Sequence, residues 1–234
     1  MTTTTNEGTA MSSAGVGVAA DLAVDFEKRR AGRVDAGDLV TENLAALAAA
    51  GVTAATVTDG VQRRQVLRTV AAGCGATAFA LGAALAAGRA EAVLHHAAVQ
   101  LGLAERAYAV AVERVRQAGN VARQPGPQFA VARMRGSLDT MTALLDRQAG
   151  RAVGGDAAAL AEACTAGLFL AAEAEAVVSA AYDLVADDAE GATRIGQLWH
   201  DLKASPAPVP GALARELVGK AAFGIDPDET PRWV

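Results

Sequence analysis

Aromatic residues make up only 4% of this 234-residue chain, although 52% of it is hydrophobic. A core of that composition is built from Ala, Val and Leu, whose small side chains let helices approach closely. Cysteine is almost missing. Cys74 and Cys164 stand alone in apolar surroundings, which excludes a disulfide framework and metal-ligand spacing and suits a reducing cytoplasm. An excess of positive charge is missing too. The net charge is −5 with both signs spread along the chain, so no basic stripe points to nucleic acid. The opening MTTTTNEGTAMSSAGVG lacks the basic start and apolar run of a signal peptide and reads as a disordered tail over residues 1–17. No internal repeat, no alternating strand pattern, no GxGxxG, no phosphate loop and no nucleophile elbow occurs.

Long uncharged runs are scarce as well. One, TVAAGCGATAFALGAALAA at residues 69–87, just reaches the ~20 residues that span a bilayer. It is rich in Ala and Gly and poor in Leu and Ile, so its drive to insert is weak and a buried helix of a soluble protein is expected.

What the chain does have is helix signals. A first amphipathic helix is expected over residues 21–30, interrupted by Gly32 and Gly37. Asp38 is expected to cap a second helix, which carries Leu39, Leu44 and Leu47 and ends at Gly51. The only β-branched run, VTAATV at 52–57, is too short to found a sheet and is expected to be an extended connector, with a turn at Asp59-Gly60. One long small-residue helix is expected over 61–88 and another over 90–118, closed by Gly119. Gln124-Pro125-Gly126-Pro127 breaks the chain before a helix at 128–147, and Gly154-Gly155-Asp156 precedes an Ala-rich helix at 157–186. Helices at 190–204 and 211–223 flank the Pro-rich link at 206–210. The expected fold is all-α: an N-terminal helical subdomain (18–88) packed on a four-helix bundle (89–224), with a C-terminal tail at 225–234.

Several stretches together resemble one family over about residues 21–224. LVTENLAALAAAGVTAATV and LRTVAAGCGATAFALGAAL resemble N-terminal helices of the acyl-CoA dehydrogenases and their flavin-dependent monooxygenase relatives. LGLAERAYAVAVERV and QFAVARM resemble the first helices of that family's C-terminal bundle. IGQLWHDLKAS, followed by ELVGKAAFG, is similar to the closing segments of the monooxygenase branch, with Trp199-His200-Asp201 where that branch has a Trp-Arg-Asp-like triplet. The resemblance implies an acyl-CoA dehydrogenase-like fold without the middle β-barrel domain, because the two helical regions follow each other directly. Two departures bear on flavin. The Arg-Phe-Gly that helps hold the flavin diphosphate is replaced by RVRQAG at 114–119, and the Pro and Gly-Gly turn after Val57 is replaced by Thr58-Asp59-Gly60. With one wall and the phosphate motif gone, no flavin or other cofactor is expected.

The chemistry-bearing residues are few. Glu190-Gly191-Ala192-Thr193 is similar to the Glu-Gly-Thr that carries the family's catalytic base; the same Glu190 also suits the first turn of any helix. His95 and His96 are adjacent and point about 100° apart on a helix, so they cannot share one metal, and no metal site is expected. His96, Glu190 and His200 are the candidate catalytic residues. Cys74, Phe79, Tyr108 and Trp199 are the candidate substrate-binding residues, with the ligand expected between the small-residue helix and the bundle. Trp199 is expected to anchor the short helix, Asp201 to pair with Arg194 or Arg215, and Arg135 with Asp139. The implied function is a flavin-independent enzyme or small-molecule binder of bacterial secondary metabolism. It would act on a hydrophobic or acyl-like molecule by proton transfer, cyclisation, dehydration or isomerisation. The alternative is a non-catalytic partner of a full-length homologue. A cytoplasmic homo-oligomer, joined through 90–118 and 157–186 and touching neither nucleic acid nor membrane, is expected in either case.

Overall fold

The computed structural model describes residues 7–30, 36–149, 157–227 and 229, and every regular element among them is helical. The helices are α1 (Glu7–Arg30), α2 (Ala36–Ala49), α3 (Gly60–Gly73), α4 (Gly75–Leu85), α5 (Arg89–Gln117), α6 (Pro125–Ala149), α7 (Ala157–Leu184), α8 (Ala189–Ala204) and α9 (Gly211–Phe223), with a 3-10 turn at Gly119–Arg123. The all-α expectation holds.

Several local expectations need correcting, among them the break at Pro125-Gly126-Pro127, which lies inside the first turn of α6. Residues 7–17, expected in a disordered tail, belong to α1, so the first helix opens well before residue 21; residues 1–6 lie outside the described residues. Asp38 sits inside the first turn of α2 and does not cap it, because the helix already starts at Ala36. Residues 52–57 form a compact turn and not an extended connector: Val57 N–H donates to Thr53 O at 2.9 Å, and Val52 and Val57 are buried as its two anchors. The Gly154-Gly155-Asp156 break lies outside the described residues.

The helix ends follow from capping chemistry. Asp59 accepts from Gln62 N–H at 2.9 Å and opens α3. Gly51 closes α2 at φ +82°, with Val52 N–H reaching back to Leu47 O at 2.8 Å; Gly224 closes α9 at φ +66° in the same way. Only glycine adopts that left-handed backbone at little cost.

The expected helix over 61–88 is two helices. Cys74 takes extended backbone between them, ending α3 and starting α4 in a new direction. The 69–87 run is therefore split, and neither piece can span a membrane. Among the described helices α7 is long and apolar enough to do so, yet it carries Glu162, Glu173, Glu175 and Asp183 and packs against α5, α6, α8 and α9.

The centre of the molecule is α5. It packs on α7 along one side and on α3 and α4 along the other, with α6 and α8 completing its surround. That explains the composition. Gly102 lets α3 and α5 meet so closely that a Cβ there would stand 2.4 Å from Arg68 O, and at Gly73 a Cβ would stand 2.1 Å from Ala23 O of α1. The hydrophobic cluster runs without a break from Ala19 on α1 to Leu217 on α9. Ion pairs lock the outer helices to it. Glu27 of α1 binds Arg106 of α5 at 2.7 Å and Arg194 of α8 at 2.8 Å; burial opposes its ionisation, but the two guanidinium groups hold its carboxyl below the usual range.

Candidate functional site

A cleft of about 630 Å³ opens between α4 and α8. Its apolar wall is α4: Cys74, Ala76, Phe79, Ala80 and Ala83, with Leu39 of α2 beside them. Small residues at this spacing leave the space that larger ones would fill. The opposite rim is polar and comes from α8 and the chain after it: Gln197, His200, Asp201 and Ser205.

The α4–α8 corner is fixed by a buried ion pair. Asp201 binds Arg30 of α1, with Oδ2 2.7 Å from Nη1 and Oδ1 2.8 Å from Nη2, and Arg30 also donates to Gln197 O at 2.9 Å. The expected partners of Asp201, Arg194 and Arg215, are thus not the ones it takes, and Arg194 is held by Glu27. Burial pushes the Asp201 carboxyl up, against the opposing pull of Arg30 and of the Gly75 N–H it accepts from. His200, one residue earlier, is exposed on the cleft rim.

His96 is not in this cleft. Its ring lies behind Phe79, centroid to centroid 4.6 Å with the planes tilted by 37°, and it faces a second, smaller pocket. Burial lowers its pKa to about 4, so the imidazole is neutral at pH 7. A proton shuttle working near neutrality is better served by a less perturbed ring. His95 is fully buried, with Nδ1 3.0 Å from Gly82 O and Nε2 3.5 Å from Glu91 Oε1, and burial lowers its pKa as well. It is a structural residue tying α5 to α4.

The remaining candidates scatter. Glu190 lies in the first turn of α8, 67% exposed, and pairs with Arg114, which also reaches Asp188 at 3.4 Å. Arg114 is thus occupied by these two carboxylates. Tyr108 is half-buried on α5, three turns or about 18 Å beyond His96 along the helix. Trp199 turns away from the cleft toward Ser179 and Tyr182 of α7, with the Lys203 ammonium 5.3 Å from its ring centroid. The structure therefore brings together Cys74, Phe79 and His200, places His96 one layer behind, and leaves Glu190, Tyr108 and Trp199 elsewhere. Sequence reading missed Arg30 and Gln197; nothing in the local sequence of α1 marks Arg30 as a partner of α8.

Both cysteines are free and buried, and burial raises the Cys164 thiol pKa. Among the described residues no group of three or more His, Cys, Asp or Glu could hold a metal ion. No protein-family model, curated protein or solved structure matches the chain.

Proposed function

We propose that the chain is a flavin-independent, acyl-CoA dehydrogenase-like protein that binds a hydrophobic or acyl-like small molecule in the α4–α8 cleft. It would carry out a proton-transfer reaction there, such as isomerisation, dehydration or cyclisation, in the cytoplasm of a cell making secondary metabolites. The observation that carries this reading is the cleft, in which one apolar wall faces a polar rim bearing an imidazole. The apolar wall suits a chain or ring system, and the convergent polar groups suit its reactive end. His200 is the residue assigned to move the proton, since imidazole is the side chain best suited to that task near neutral pH. Gln197 and Ser205 would orient a carbonyl, while Arg30 and Asp201 hold the rim in place.

The test is α-proton exchange. A decanoyl thioester incubated with the protein in D₂O should gain deuterium at its α carbon, read by mass spectrometry, and His200→Ala should abolish the gain. Ala83→Trp, which fills the cleft, should abolish binding of the thioester by calorimetry. Absence of binding to the wild-type protein would end this reading.

A second reading, a non-catalytic partner subunit of a full-length homologue, is favoured by surface rings. Phe129 on α6 is 74% exposed and Phe223 at the end of α9 is 81% exposed. The rings stand on helices that do not touch, two separate apolar spots that a partner chain would cover. Light scattering distinguishes the cases: a dimer or larger at micromolar concentration supports self-assembly, and a monomer that associates only with a full-length homologue supports the partner role.

A further inference from the structure

We infer that the small pocket walled by α5, α7 and the Pro-rich strap at 206–210 is a ligand site in its own right. Its ligand is an uncharged molecule of phenol size, whose hydroxyl hydrogen-bonds to Gln100 and His96. The inference is independent of the α4–α8 cleft.

The pocket measures about 150 Å³ and is lined by Val93, Leu168, Ala171, Val209 and Ala214, with Cys164 among them. A mostly apolar pocket of that size has room for a benzene ring. Two polar groups interrupt the apolar lining, both on α5. Gln100 is only 8% exposed, yet among the described residues its amide has no hydrogen-bond partner. Among the described residues the sealed, unpaired side-chain atoms are Arg64 Nη2 and His95 Nε2, so the Gln100 amide is not sealed in protein but opens onto the pocket it lines. Buried amides are ordinarily paired, and one left unpaired on a pocket wall is a hydrogen-bonding position open to a ligand. His96 is one helical turn before it on the same face of α5, and it too has no hydrogen-bond partner among the described residues.

The chemistry of the ligand follows. Held neutral by burial, His96 offers one donor and one acceptor, and the Gln100 amide offers both kinds of group. A hydroxyl, which donates once and accepts, matches that pair. An ionised carboxylate or ammonium does not, because no charged side chain lines the pocket and burying an unpaired charge is far costlier than burying a hydroxyl. The strap contributes Ala207, Pro208 and Val209 to the lining. Phe79 stands between this pocket and the cleft, its ring against His96, so the two spaces are separate.

The experiment compares phenol, benzene and benzoate at pH 7 by calorimetry and ligand-observed NMR. The wild-type protein is expected to bind phenol at least tenfold more tightly than benzene and benzoate not measurably. Gln100→Leu should still bind benzene, which shows the pocket intact, and should bind phenol no more tightly than benzene. Ala171→Leu, which fills the space, should bind neither, and His200→Ala should bind phenol as wild type does. Equal binding of phenol and benzene by the wild type, or no binding of either, overturns the proposal. Survival of the phenol preference in Gln100→Leu, undiminished phenol binding in Ala171→Leu, or loss of phenol binding in His200→Ala does the same.

Discussion

Asp201 caps a helix 126 residues away from it: its Oδ2 accepts the Gly75 N–H at 2.9 Å, at the first residue of α4. Gly75 is the residue that permits this approach, since a Cβ there would stand 2.7 Å from the same carboxylate oxygen. Removing the carboxylate leaves two losses at once, an uncapped α4 and a half-buried Arg30 guanidinium without its counter-ion. Asp201→Ala is expected to cost about 3–5 kcal/mol, and Asp201→Asn less, because an amide oxygen can still accept from Gly75. Urea denaturation of both variants checks the order; equal losses would show that the cap contributes nothing beyond charge.

Close helix contact at glycine makes a second prediction. Gly102→Ala and Gly73→Ala press a methyl group into the backbone of a neighbouring helix, at Arg68 O and Ala23 O respectively. Backbone cannot step aside as a flexible side chain can, so each is expected to lose at least about 1–3 kcal/mol. Gly136→Ala on α6, where a Cβ meets nothing within 4 Å, should instead be neutral or slightly stabilising. Thermal melts of the three variants decide it.

Burial of His96 predicts a pH dependence of stability. Its pKa is lowered from 6.5 to about 4 on folding, so between those values the unfolded chain binds more protons than the native one. Stability is therefore retained above about pH 6.5 and lost as pH falls toward 4, by at most about 3 kcal/mol from this residue. His95 adds to the same loss, because burial lowers its pKa too. His96→Phe should flatten part of the slope of unfolding free energy between pH 4 and 6.5. An unchanged slope would mean that His96 stays solvated.

Trp199 is half-buried, with its ring partly covered by Lys203, and is not enclosed in the core. Trp199→Ala is accordingly expected to cost about 1–2 kcal/mol, below the roughly 3–5 kcal/mol of a fully buried aromatic residue. It should leave binding in the α4–α8 cleft unchanged, since the ring points away from it. Loss of cleft binding in a well-folded variant would contradict that placement.

Purified protein is expected to be colourless and to release added FAD or FMN on gel filtration. The stretch RVRQAG at 114–119 lacks the Arg-Phe-Gly that the resemblance ties to a flavin diphosphate, and its Arg114 is paired with Asp188 and Glu190. Flavin absorbance that co-elutes with the protein would refute this.

Much of the helical framework was legible locally. Residues 211–223 follow from the Pro-rich link before them, and Gly51 was marked as a helix end by its place after a leucine-bearing helix. Such signals act within a few residues, where side chains and backbone can satisfy one another. The site was only partly legible. Cys74, Phe79 and His200 do share a cleft, but His96 and His200 are separated by Phe79, and Glu190 is tied up at the surface.

The sequence by itself determined that the chain is helical, that its core is built from small aliphatic residues, and where most helices stop, because periodicity and capping are short-range. Tertiary structure decided the rest. The break at Cys74 carries no proline and reads as continuous helix; it exists because Asp201, far along the chain, accepts the freed Gly75 N–H. Whether a histidine is neutral behind a ring or exposed on a rim depends on which helices cover it, and Arg30 acquires its role only when α8 packs beside it. Burial and ion pairing are sums over neighbours distant in sequence, and no local pattern encodes them.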